Sequence, residues 1–239
     1  MRRGDSAEDP ESHQPVALAC LGQDFFGNGV NMAFHSVHNP GLARAQLKKL
    51  RPTQLSVGYA EVEAKSREWA RLGKKKLKMQ IQQHVFPAVL GPGKQYYIVD
   101  HHHLGIALLK QGIEEVFVTV LDDLCWLKMP IFWRTMEFRA WTHPYDNRGR
   151  RRDYREMPER LTDLKDDPYR SLAGLVRGAG GFSKGQAPFV EFLWADFFRP
   201  HISLRLIKKE PKLAVRDGVR LARSMEARYM PGWSGKAAG

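Results

Sequence analysis

Val99-Asp100-His101-His102-His103-Leu104 is the stretch whose reading decides the fold. Before it, Tyr96 to Val99 reads as a short strand; after it, Leu104, Ala107 and Leu108 recur at helical spacing up to Lys110-Gln111-Gly112. The six residues therefore carry the chain from a strand through a tight polar turn into a helix. Val116 to Leu121, apolar with little alternation, has the pattern of a buried strand. The order β-turn-α-β makes a crossover unit. It places the histidines at the carboxyl end of a strand and the amino end of a helix, where open α/β sheets hold ligands.

Upstream, His84 to Leu90 reads as another strand, set off from Tyr96 by the turn Gly91-Pro92-Gly93. Tyr59, Val62, Ser66, Trp69 and Gly73 predict a helix with Gly73 as its stop, and Leu50 to Leu55 a short extended piece that Pro52 keeps off a central strand. Residues 15 to 45, punctuated by Gly27-Asn28-Gly29 and Asn39-Pro40-Gly41, read as loop or extension. Residues 1 to 14 are polar enough to be disordered, and Met32 is an alternative start. Beyond Asp122 the texture becomes aromatic and helical, with Arg170 to Val176, Phe189 to Phe198 and Leu213 to Arg228 as helices around a Gly178 to Gly185 loop. The expected organisation is an N-terminal extension over 1–45, partly disordered, a small α/β module over 46–125, and a mostly helical region with a basic tail over 126–239. The fold class is α+β, a mixed α/β module followed by helices.

The 239 residues, 43% of them hydrophobic, suffice for a sizeable core, and no run approaches the roughly 18 to 20 apolar residues that span a bilayer. Acidic Asp5, Glu8, Asp9 and Glu11 follow Arg2-Arg3 where a signal peptide needs an apolar segment. Cys20 and Cys125 stand far apart, without a Cys-x-x-Cys spacing, so a reducing cytoplasm is expected. The formal net charge of +12 favours anionic partners. Its excess lies downstream: residues 200 to 239 hold nine Lys/Arg against three Asp/Glu.

At the turn, backbone N–H groups of a helix amino terminus attract phosphate, and histidines can donate to its oxygens. Asp100 suits three roles: orienting a histidine, capping the helix, or holding Mg²⁺ against a nucleotide. His84, His143 and His201 show no metal-ligand spacing. Glu61 and Glu63 are candidate general bases, with Glu63 bordering the apolar stripe; both also fit surface pairs, with Lys65 and Arg67. Arg148, Arg150, Arg151, Arg152 and Arg155, following Trp141, His143 and Tyr145, form the densest basic cluster and suit nucleic-acid contact.

With Val99 to Leu104, the upstream Leu50-Arg51-Pro52-Thr53-Gln54 and Val57-Gly58, and the downstream Asp166 to Gly174 and Glu191 to Ala195, the chain resembles the ParB/sulfiredoxin superfamily, most closely its branch of ParB-like nucleases. The resemblance covers roughly residues 47 to 200. It implies a ParB/sulfiredoxin-like fold that holds nucleotide phosphate at the turn, with His101, His102, His103, Thr53 and Gln54 around it. Relatives often read Gly-x-x-Arg or Asp-Gly-His-His-Arg here, whereas this chain has His101 and Leu104 at the Gly and Arg positions. The sulfiredoxin cysteine is absent, since no Cys lies between Cys20 and Cys125.

The leading expectation is a nucleotide-binding phosphotransferase or nucleotide hydrolase taking a nucleoside triphosphate or diphosphate with Mg²⁺, with Asp100, His102 and Glu63 catalytic and Asp100 the metal ligand. The alternatives are a nuclease that uses the same turn with a divalent metal, with Arg148, Arg150, Arg151 and Arg152 tracking DNA, and a non-catalytic DNA-binding module. No membrane partner is expected.

Overall fold

A computed structural model of the chain describes residues 41–185 and 187–235. The expectations for residues 1 to 14, Cys20 and Met32 lie outside them. The described residues form β1 (Leu42–Gln46), β2 (Ser56–Val57), α1 (Tyr59–Ala70), α2 (Lys74–Gln83), β3 (Phe86–Gly91), β4 (Gln95–Ile98), α3 (His102–Lys110), β5 (Glu115–Asp123) and α4 (Met129–Phe138). Then come β6 (Lys165–Asp166), α5 (Pro168–Gly178), α6 (Val190–Phe198), α7 (Leu204–Lys209) and α8 (Pro211–Ala222). This is the α+β class expected.

Four strands form one sheet in the order β1-β5-β3-β4, and β2 pairs with β6 in a separate parallel ribbon. In the main sheet β3 runs parallel to β5, while β1 is antiparallel to β5 and β4 antiparallel to β3. The crossover therefore differs from the one expected: β4 and β5 run in opposite directions, and the parallel partners are β3 and β5. Period-two alternation distributes the sheet's side chains. Phe86, Ala88, Ile98, Val116 and Val118 face one core with α1 and α3, while Val89 and Tyr97 face Phe132, Trp133 and Met136 of α4. A third core, around Leu172, Val176, Trp194 and Phe198, holds α5, α6 and α8 together.

α1 forms where Val62, Ser66 and Trp69 recur on one buried face. It ends at Ala70, before the expected stop, and Gly73 instead precedes α2, whose Lys-rich sequence gives little apolar periodicity to read. β1 occupies residues read as extension, because an edge strand with one partner needs only a half-buried face. The last long helix ends at Ala222 and a 3-10 turn follows at Met225–Ala227. No helix among the described residues is long and apolar enough to cross a membrane.

Candidate active site at the amino end of α3

The three histidines point in three directions. His101 precedes α3 with φ 68° and ψ 18°, a left-handed conformation uncommon outside glycine, in which Asn, Asp and His are the most frequent exceptions. Its N–H donates to Asp100 Oδ1 at 2.6 Å, and its ring tilts against Phe86 at 5.5 Å. Burial lowers its pKa. His102 turns inward, 3% exposed, and its Nε2 accepts the Thr53 N–H at 3.1 Å. That bond assigns a neutral ring with its proton on Nδ1. Burial pushes the His102 pKa down to about 3.

His103 faces a different neighbourhood. Its Nε2 accepts the Gly58 N–H at 3.3 Å and lies 3.4 Å from Glu61 Oε2. Burial first, and then the charge of Arg170, hold its pKa well below the ordinary histidine value. His103 is therefore neutral, and its approach to Glu61 is not an ion pair. Glu61 is instead the partner of Arg170, whose Nη1 lies 3.4 Å from Oε2.

Arg170 is 7% exposed and its Nε has no hydrogen-bond partner among the described residues. Its Nη2 lies 3.9 Å from Glu191 Oε2, and its guanidinium sits 5.4 Å from the centre of the Phe192 ring. Burial lowers its pKa, against the charges of Glu61, Asp167 and Asp100. Arg177, two turns on along α5, pairs with Glu191. Gly174 lies between them, and a Cβ there would come within 3.4 Å of Arg170 Nη1. The buried Asp167 starts α5 by accepting the N–H groups of Tyr169 and Arg170, and holds Arg199 at 2.5 Å. α1 meets α5 at Gly58, where a Cβ would stand 2.9 Å from Ser171 N and Oγ. Ser171 Oγ in turn accepts the Ala60 N–H at 3.2 Å.

The structure thus brings Asp100 and His103 together with Glu61, Arg170 and Arg177, and turns the His101 ring towards Phe86 instead. Thr53 and Gln54 are buried behind the turn: Thr53 Oγ1 donates to the Ile98 carbonyl at 2.8 Å and Gln54 Nε2 to that of Ser56 at 2.8 Å. Glu63 stands apart, paired with Lys110 at the far end of α3. Of the arginine cluster, Arg151 pairs with Glu137, Arg152 with Asp146 and Arg155 with Asp153, while Arg148 and Arg150 are exposed.

His84 packs edge-on against Trp69, His143 within Tyr145, Phe189 and Phe192, and His201 against Phe197. Among the described residues no three His, Cys, Asp or Glu side chains converge to hold a metal. A Mg²⁺ ion bound mainly by phosphate oxygens and water needs only one or two carboxylates. Asp100 is exposed and offers Oδ2, which has no protein hydrogen bond among the described residues. Arg170 and Arg177 were not read from the sequence as site residues, nor was their partner Glu191. Their signal is the spacing of seven between Arg170 and Arg177 on a helix opened by Asp167-Pro168, which puts both guanidinium groups on one face.

This mixed sheet, with a strand-to-helix turn carrying Asp100 to His103, is the architecture of a ParB-like protein. Residues 43–200 match the model of a family described as "Putative ParB-like nuclease", and the chain belongs to that ParB-like family. It is also similar to a solved structure, the crystal structure of protein Atu1540 from Agrobacterium tumefaciens. The two are 41% identical with a TM-score of 0.78, over 83% of this chain and 100% of the other. No curated protein sequence matches the chain.

Proposed function

We propose that the site at the amino end of α3 binds the phosphate groups of a nucleotide and catalyses phosphoryl transfer or nucleotide hydrolysis. The observation that carries this reading is Arg170, a buried guanidinium whose Nε has no partner among the described residues and whose two carboxylates hold it loosely, beside a helix amino terminus that no described side chain caps. A phosphate would complete the hydrogen bonds of Arg170 and meet the positive end of α3. Arg177 would add a second charge.

His103 is the acid–base group of this reading, in place of the His102 and Glu63 roles expected from sequence. His102 is committed to Thr53 and Glu63 to Lys110. When His103 Nε2 takes a proton from the attacking hydroxyl or water, it exchanges the Gly58 N–H for that proton, and Glu61 stabilises the imidazolium. A dianionic phosphate on Arg170 would offset the guanidinium charge and raise the basicity of His103. Mg²⁺ held by Asp100 and the phosphate oxygens would supply charge neutralisation when bound.

The test is calorimetric titration with ATP, ADP and CTP in the presence of Mg²⁺, on the wild type and on Asp100→Asn and Arg177→Gln. Binding that both variants weaken at least tenfold supports the reading; absence of binding by every nucleotide sinks it. A second reading, phosphodiester cleavage at the same groups, is favoured by the family description. It predicts release of labelled fragments from DNA, lost in His103→Ala.

A further inference from the structure

The first turn of α6 brings more than a carboxylate to the α3 site. Glu191 holds Arg177 and approaches Arg170, while the Phe192 ring lies against the Arg170 guanidinium, 5.4 Å from centre to carbon. Phe192 also stacks on His143, with ring centres 4.1 Å apart and planes 30° from parallel. His143 has Tyr145 at 4.8 Å and Phe189 at 5.1 Å as further ring neighbours, tilted by 32° and 31°. Backbone bonds tie this cluster to the histidine turn: the His143 N–H donates to the Thr53 carbonyl at 2.9 Å, and the Thr53 N–H to His102.

Three features separate these rings from ordinary core. Phe192 is buried, but His143, Tyr145 and Phe189 are only half-buried, whereas Trp194 and Phe198 of the same helix are sealed. Neither ring nitrogen of His143 has a hydrogen bond among the described residues. Burial, and then the charges of Arg170 and Arg199, lower the His143 pKa to about 4, so at neutral pH its ring offers one N–H donor and one acceptor. Phe189 has φ 60° and ψ 19°, a left-handed conformation that a bulky side chain rarely adopts. Glycine would take that backbone without strain, so the strain is what it costs to place a phenyl ring against His143.

We propose that this cluster receives the base of a free nucleotide whose phosphates sit on Arg170, the base stacking on the half-buried rings while His143 bonds its polar edge. The inference rests on the reading of Arg170 as the phosphate ligand. It adds that the substrate is a nucleotide and not an inorganic polyphosphate. The orphaned Nε of Arg170, buried beside Phe192, marks the phosphate end. A phosphate alone would leave the aromatic rings and the imidazole nitrogens without a partner. A nucleobase supplies a flat π-face for the rings and donors and acceptors for the imidazole.

The test is calorimetric titration of the full chain with ADP and with inorganic pyrophosphate, each with Mg²⁺, on the wild type and on Phe189→Leu. Pyrophosphate carries at least the charge of ADP, so charge alone gives ADP no preference. The wild type should bind ADP about tenfold or more tightly than pyrophosphate, since stacking one base changes affinity by roughly 5- to 150-fold. Phe189→Leu should bind pyrophosphate as the wild type does and lose most of the preference. A readout that needs no variant is nuclear Overhauser contact between adenine H2 or H8 and the ring protons of Phe189 or Tyr145 in the wild-type complex. Equal binding of both ligands by the wild type, or absence of those contacts, overturns the base site and leaves the phosphate reading standing. Binding of neither ligand overturns both. A preference that survives Phe189→Leu, or equal weakening of both ligands in that variant, likewise overturns the inference.

Discussion

The ring of His102 accepts the backbone N–H of Thr53 at 3.1 Å, and Thr53 in turn is gripped from both sides, its hydroxyl donating to Ile98 and its carbonyl accepting from Thr142 Oγ1 at 2.7 Å. A histidine in the middle of the candidate site thus acts as a brace between the turn and the segment before β2. Replacing it by Ala leaves a buried N–H unsatisfied and a cavity, at a cost of about 2–4 kcal/mol. Urea denaturation of His102→Ala at pH 7.5 checks this, with His102→Gln, which restores an acceptor, recovering part of the loss.

Acid should weaken the fold through the same ring. The His102 pKa is near 3 in the folded chain and near 6.5 when unfolded, so between these values the unfolded chain binds more protons. The stability from keeping it neutral is fully present above pH 6.5 and is lost as pH falls towards 3. His143, lowered to about 4 by burial and then by Arg170, acts in the same direction. Each histidine contributes a slope of up to about 1.4 kcal/mol per pH unit within its window. Urea midpoints at pH 7.5, 6 and 5 should fall in that order, and less steeply in His102→Gln.

His101 holds a left-handed backbone with a side chain attached. His101→Ala keeps the strain and loses the ring contact with Phe86; His101→Gly loses the same contact and removes the strain. His101→Gly should therefore be the more stable of the two by about 1 kcal/mol, read as the difference in urea midpoint at equal slope.

The two candidate carboxylates should separate cleanly. Glu63→Gln touches an exposed pair with Lys110 and should leave the denaturation midpoint essentially where it is in the wild type. Glu61→Ala leaves buried Arg170 with Glu191 at 3.9 Å as its nearest carboxylate and should cost about 3 kcal/mol. If thermal denaturation gave equal losses, the assignment of Glu61 to the buried network would be wrong.

Gly58 is required by close approach, since its φ of −79° is ordinary. Gly58→Ala drives a methyl to within 2.9 Å of the Ser171 backbone and should cost about 1–3 kcal/mol. Because the same N–H serves His103, the variant should also shift the His103 imidazole resonances in an NMR spectrum.

Much of the central module was legible because its signals are local. The helical spacing of Val62, Ser66 and Trp69, the glycine-proline turn after β3 and the polar turn before α3 each declare an element within a few residues. β1 and α2 were missed for the opposite reason: an edge strand and a lysine-rich surface helix bury too little to impose a pattern. Of the site, the turn could be read, but not which histidine faces which neighbour. That depends on the left-handed step at His101, which no residue type in the stretch announces. Glu61 and Glu63 were nearly indistinguishable in sequence. Only the packing of α5 against α1 assigns one to a buried arginine and leaves the other at the surface.

The pairing of Glu61 with Arg170 spans 109 residues and joins α1 to a helix built on a different core. The appetite of His103 for a proton is consequently governed from a distance. Whatever loosens α5 from α1 would withdraw both the covering atoms and the opposing charge, and let that imidazole drift back towards ordinary basicity. The downstream helices are then an electrostatic tuning element as well as a scaffold: the firmness with which they dock sets how readily that imidazole takes up a proton.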